Sequence, residues 1–151
     1  MRRRNLVAAC LVTAMITLAA PATAVTVTTS ARSYEWQIQS NTNLQRVLHV
    51  KPILSGSQCA KDYAIKRARW MRDHRQLKHS SMSTVMRACR FTAVAENIAY
   101  GYPNGGETVR AWMRSSAHRA NILNSRYRLI GTGARRDSRG VWWAVEIFGR
   151  K

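Results

Sequence analysis

The chain has 151 residues, enough for one domain built around one hydrophobic core. It carries 25 lysines and arginines against 7 acids, a formal net charge of +18. That excess attracts polyanions, but no recognition helix, zinc-finger spacing or aromatic RNA-binding motif accompanies it, which argues against a specific reader of nucleic acid.

The chain opens on a leader. Arg2, Arg3 and Arg4 precede an apolar run from Leu6 to Ala20, broken only by Thr13 and Thr17. Pro21 ends the run, and Ala22-Thr23-Ala24 forms a small-x-small cleavage pattern. The run is shorter than the ~20 residues of a membrane-spanning helix. Residues 1–24 are therefore expected to be a signal peptide, with a secreted product that starts at Val25 and has no transmembrane segment. Cleavage takes the net charge from +18 to +15, because three arginines and no acid leave. It also removes Cys10, so the mature chain holds Cys59 and Cys89. An even pair in an oxidising compartment reads as one disulfide.

Residues 25–34 are small and polar and read as a flexible tail before a domain over 35–151. Trp36, Ile38, Leu44, Val47 and Leu48 fit a helix near 35–48. Lys51 to Gly56 breaks it, and Ser57 is a candidate N-cap for a longer amphipathic helix with Ala60, Tyr63, Ala64, Ala68 and Met71 at helical spacing. A shorter helix is expected over 82–89. After the turn-rich Gly101 to Gly106, Glu107 to Arg114 reads as a helix with an acid in its first turn. Ser116 is expected to cap a further turn or two. Leu129 to Ala134 and Val141 to Phe148 are β-rich and flank a polar turn, which predicts a hairpin. Helices first and strands last predict an α+β domain. Few exposed apolar stretches are evident, so a monomer is the default.

Three stretches carry candidate chemistry: Leu77-Lys78-His79-Ser80, Ala95-Glu96-Asn97-Ile98-Ala99, and Trp112 through Leu123 with His118 at its centre. At these residues the sequence resembles the CAP superfamily (cysteine-rich secretory proteins, antigen 5, pathogenesis-related proteins) in its short bacterial SCP-like form. Asn43-Leu44-Gln45-Arg46 is similar to the family's N-x-x-R, and Lys51-Pro52-Ile53 to its K-P-L. Glu96-Asn97-Ile98-Ala99 matches its E-N-I-A. Trp112-Met113 with Ser116-Ala117-His118-Arg119-Ala120-Asn121-Ile122-Leu123 matches its W-M-x-S-x-G-H-R-x-N-I-L. Ile130-Gly131-Thr132-Gly133 and Trp143 to Phe148 resemble its closing strands. The series runs from about residue 41 to 149, and its strength lies in order and spacing rather than in any one block.

The resemblance implies a three-layer α-β-α sandwich with a small, mainly antiparallel sheet. It also implies a cleft tetrad of two histidines and two acids, of which His79, Glu96 and His118 fill three places. Ser115 stands where the fourth acid would be. Two imidazoles and a carboxylate could hold a divalent metal such as zinc, with His79 and His118 as ligands and Glu96 as a third. The plainer readings are a surface histidine at 79, a loop-holding carboxylate at 96 and a hydrogen-bonded linchpin at 118. Asn97, Ser115, Ser116, Asn121 and Glu146 are expected to support the cleft, with Asn121 tying backbone. On the last strand Trp142, Ala144, Glu146 and Phe148 share one face, and Trp143, Val145 and Ile147 the other. Apolar residues on both faces suit a sheet covered on both sides.

The function expected is a secreted basic binding or scaffold module at the cell envelope or outside the cell, its partner an anionic lipid, a sterol or an anionic wall polymer. The alternatives are a metal-dependent hydrolase using His79, Glu96 and His118, and a cationic antimicrobial or virulence factor. No persuasive nucleophile accompanies them.

Overall fold

The computed structural model describes residues 29–151; the signal-peptide cleavage site and the start of the expected tail lie outside them. Among the described residues the chain forms five helices and four strands: α1 (Ala31–Leu48), β1 (Ser55–Gly56), α2 (Gln58–His74), α3 (Met82–Cys89), β2 (Ala93–Tyr100), α4 (Gly105–Arg114), α5 (Ser116–Leu123), β3 (Leu129–Arg136) and β4 (Trp142–Arg150). The sheet order is β1-β3-β4-β2. The short β1 runs parallel to β3, and the other two pairings are antiparallel.

The helices lie on both faces of the sheet. Tyr34, Ile38, Val109, Trp112 and Ile122 of α1, α4 and α5 pack with Ile130, Ala134, Trp142, Ala144 and Phe148. Ala60, Ala64, Ala68, Met71, Val85 and Cys89 of α2 and α3 pack with Ile98, Trp143, Val145 and Ile147. The two faces of β4 are thus divided as strand alternation requires. The architecture is the expected α-β-α sandwich.

Local chemistry explains the element ends. Ser57 accepts from the Ala60 amide as N-cap of α2, and Asn104 accepts from the Glu107 amide as N-cap of α4. At the start of α5 the N-cap is Ser115 rather than Ser116, which is the first helical residue. Helix α1 starts at Ala31, so four residues assigned to the tail are helical, held by the Ser30 hydroxyl on the Ser33 amide. Tyr34 anchors this first turn: its ring is fully buried, and its hydroxyl bonds Thr108 at 2.6 Å and the Tyr102 carbonyl at 3.1 Å. In the hairpin turn Asp137 accepts from the amides of Arg139 and Val141, and Gly140 takes the left-handed φ of 84° that the turn needs. Cys59 of α2 and Cys89 of α3 form the disulfide.

Gly131 and Gly133 explain how closely α2 sits. A Cβ on Gly131 would collide with the backbone of Ala60 and Lys61, and one on Gly133 with the backbone of Ala64 and Ile65. Helix α2 answers with Ala60, Ala64 and Ala68 on the same face, all fully buried. Glycine against alanine brings helix and strand backbones into contact, which fixes where α2 ends and the 75–81 loop begins.

A candidate cleft at the free edge of the sheet

β2 is an edge strand, so residues from both helical layers can meet around its open side. Glu96 lies opposite Ile147 in the β2–β4 pairing and shares the α2/α3 face; Asn97 lies opposite Glu146 and shares the other.

Glu96 is almost wholly buried at its side chain, whereas that of His79 is 60% exposed. His79 Nδ1 lies 2.8 Å from Glu96 Oε2, the Ser80 amide donates to the same oxygen at 3.0 Å, and the Ser80 hydroxyl donates to Oε1 at 2.5 Å. Arg67, about two turns before the end of α2, donates to the carbonyls of Lys78 and His79 and so holds this loop against the helix. Ser80 falls in a stretch the sequence singles out, but with no role attached, and Arg67 carries no signal; the loop they fix has no periodicity to read.

His118 comes from α5 on the other side of β2. Its ring is half-buried and tilted against Trp112, with centroids 6.5 Å apart. Burial, and after it the nearby charge of His79, hold the His118 imidazole below its ordinary pKa. Together with Ile98, Tyr100, Tyr102, Trp112 and Ser115 it lines an open, mainly apolar depression of about 260 Å³. Ser116 points away as an exposed residue of the first turn of α5.

Behind this edge lies a buried polar network. Asn97 is fully buried. Its amide nitrogen donates to the His118 carbonyl at 3.1 Å and to Glu146 Oε1 at 2.9 Å, and its oxygen accepts from Asn121 Nδ2 at 2.9 Å. Thr42 of α1 bonds Glu146 Oε2 at 2.8 Å. Glu146 is wholly buried and has no cation against it, so desolvation pushes its carboxyl up to about 8 and keeps it protonated at neutral pH. Asn121 ties side chain more than backbone; its contact to the Glu96 carbonyl is 3.5 Å.

The donor set bears on whether a metal fits. A catalytic zinc centre takes three protein ligands and an open position. Here both Glu96 oxygens are committed to His79 and Ser80. Serine occupies the fourth place. Among the described residues no three His, Cys, Asp or Glu side chains gather closely enough to share an ion. What this chain offers is two imidazoles, one of them already oriented by a carboxylate. That falls one ligand short of a zinc centre.

With this geometry in view, known proteins place the chain. The sequence model of the CAP family, the cysteine-rich secretory proteins, matches residues 30–148. The chain belongs to the CAP family. This CAP domain is 34% identical over 145 residues to the uncharacterized protein YkwD of Bacillus subtilis, covering 87% of this chain and 55% of that one. It is 32% identical over 109 residues to the uncharacterized membrane protein YlbC of the same organism, covering 68% of this chain and 32% of that one. The chain thus spans about half of one curated relative and a third of the other. Among solved structures it resembles an extracellular SCP-domain protein of Bacillus anthracis, with a TM-score of 0.74, 25% identity and coverage of 88% of this chain and 45% of that one. The protein is a CAP-domain protein of the bacterial SCP type.

Family motifs in this CAP domain prove to be largely structural. Asn43 exchanges two bonds with the Leu54 backbone, at 3.0 and 2.8 Å. Arg46 is fully buried, and its guanidinium donates to the carbonyls of Pro52, Ile122, Asn124 and Tyr127. The N-x-x-R pair therefore pins the loop after α1 to the loop after α5. Trp112 Nε1 donates to the Ile98 carbonyl at 3.1 Å and ties α4 to β2.

Proposed function

We propose that this is an exported CAP domain that binds rather than catalyses, adsorbing to the polyanions of a cell envelope. The observation that carries this reading is the distribution of charge. Of seven acids in the sequence, five are paired with a basic side chain: Glu35, Asp73, Glu96, Glu107 and Asp137. A sixth, Glu146, is buried and held protonated. Most carboxylates are thus offset by a partner or by burial, and a large excess of lysine and arginine is left without one. Outside a cell the available polyanions are phospholipid and anionic wall polymer, and both attract such a surface over a Debye length. The cleft supports binding too, because its carboxylate already has its hydrogen bonds and the depression beside His118 is mainly apolar.

The test is a salt series. Affinity for vesicles of phosphatidylglycerol, and for a soluble anionic wall polymer, is expected to fall steeply as salt rises, with little binding to phosphatidylcholine. Absence of binding to either polyanion, or binding indifferent to salt, overturns the reading.

A further inference from the structure

Eight large hydrophobic residues are exposed among those described, and six of them fall in one segment: Trp36, Leu44, Val47, Leu48, Val50 and Ile53, each between 51% and 92% exposed. Singly exposed apolar residues are ordinary, but a cluster marks a contact surface. The four on α1 are not strays of the buried side. At 3.6 residues per turn they fall within a sector of about 120°. The buried residues Tyr34, Glu35, Ile38, Thr42 and Arg46 occupy the opposite side. Val50 and Ile53 continue the surface past the helix end, where Val50 takes a φ of 53° with its amide on the Val47 carbonyl.

Cations lie beside the loop end of this surface, and the neighbouring sequence segments carry no acid. Arg46 links the 50–54 loop to the 122–127 loop through the carbonyls of Pro52, Ile122 and Asn124, and the Ser55 amide donates to the Arg128 carbonyl. The Val50–Ile53 loop, which continues the stripe past the end of α1, therefore adjoins the backbone of residues 126–128. Arg126 and Arg128, with Arg150 and Lys151, line a depression of about 470 Å³. None of the four pairs with a carboxylate among the described residues. No acid occurs between Glu35 and Asp62, between Glu107 and Asp137, or after Glu146.

We propose that this end of the molecule lies on an anionic phospholipid bilayer, with the outer face of α1 and the Val50–Ile53 loop in the interfacial zone and Arg126 and Arg128 on lipid phosphates. The inference rests on the polyanion reading above and adds to it a surface and one occupant. Apolar side chains beside uncompensated arginines are the composition of an in-plane membrane contact. A second copy of the chain fits less well, since pairing through this face would bring the same cations together. An exposed helical stripe of separate apolar side chains suits a deformable apolar medium better than the hot-spot packing of a protein partner.

The experiment compares the protein with L48E/V50E, W36F and R126E/R128E on vesicles of equal parts phosphatidylglycerol and phosphatidylcholine, and on the soluble wall polymer. All substituted positions are exposed, and circular dichroism checks that each variant is folded. L48E/V50E is expected to lose about tenfold or more in vesicle affinity, the scale of withdrawing one or two large apolar side chains from the interface. Its affinity for the soluble polymer should change far less. Wild-type tryptophan emission should shift to the blue on vesicles, and W36F should lose most of that shift. R126E/R128E should weaken vesicle binding and flatten its salt dependence. Undiminished vesicle binding by L48E/V50E, or no Trp36 shift, overturns the membrane surface while polymer binding keeps the broader reading intact. A concentration-dependent dimer in sedimentation that L48E/V50E abolishes also overturns it, and assigns the face to a second copy. Loss of binding to both polyanions by wild type defeats the broader reading itself.

Discussion

Glu146 is the residue whose chemistry departs furthest from its sequence appearance. The sequence places it among the residues that support the cleft, and the structure buries it fully between Thr42 and Asn97. Its carboxyl is raised from 4.5 to about 8 by desolvation. Below pH 4.5 it is protonated folded and unfolded alike and makes no difference to stability. Between 4.5 and about 8 only the unfolded chain releases the proton, so stability falls as pH rises through that window and levels off above it. Glu146→Gln keeps the hydrogen-bonding shape without a titratable proton. Its melting temperature should match wild type near pH 4 and exceed it by several degrees at pH 8, as thermal unfolding across pH would measure. At the same scale, His79 Nδ1 lies 2.8 Å from Glu96 Oε2. The sequence could not reveal that Ser80 and Arg67 complete the arrangement, because their roles depend on how the 75–81 loop folds back over α2.

At the scale of elements, the contact of α2 with β3 is the tightest in the molecule. Gly133→Ala places a methyl group against the Ala64 and Ile65 backbone, which cannot move as a side chain would. Overpacking of this kind costs about 3 kcal/mol, read as a lowered urea midpoint at unchanged slope. The Cys59–Cys89 bridge closes a loop of 30 residues between α2 and α3. Replacing both cysteines with alanine should lower stability by about 3–4 kcal/mol on the chain-entropy account, measured by denaturant unfolding. Sequence periodicity identified α2, α3, α4 and the hairpin, because each carries a local signal that its packing respects. It left β2 unassigned: Ala93 to Tyr100 includes three alanines, a glutamate and an asparagine, which have little strand preference, and the strand exists through eight paired positions on β4. For α1 the apolar spacing found the helix but does not mark its buried side. Of Trp36, Ile38, Leu44, Val47 and Leu48, only Ile38 is buried. The inward side is carried instead by Tyr34, Glu35, Thr42 and Arg46, polar groups or rings whose partners lie far along the chain.

At the scale of the whole molecule, export is the expectation to test. Among the described residues no helix is long and apolar enough to cross a membrane. Cleavage after Ala24 is expected to release a domain that begins at Val25, and N-terminal sequencing of secreted protein should read Val-Thr-Val; a sequence starting at Met1 would refute it. The few exposed apolar stretches expected from the sequence give way to six exposed apolar residues on the outer side of α1 and the loop after it. That surface brings a membrane contact, or failing it a second copy, into the question of partners.

The sequence by itself determined the leader pattern, the single cysteine pair, the hairpin and the ordered motifs that mark a CAP domain. These features are written in adjacent residues or in fixed spacing along the chain, so they survive reading in one dimension. Only the tertiary structure decided that Glu96 turns to His79 and Ser80, that Glu146 stays protonated, and that the apolar stripe of α1 faces outward. Each of those depends on what the other layer brings against the residue. A carboxylate's state follows from the donors and burial around it, and an apolar stripe is core or surface according to which side of its helix the sheet covers.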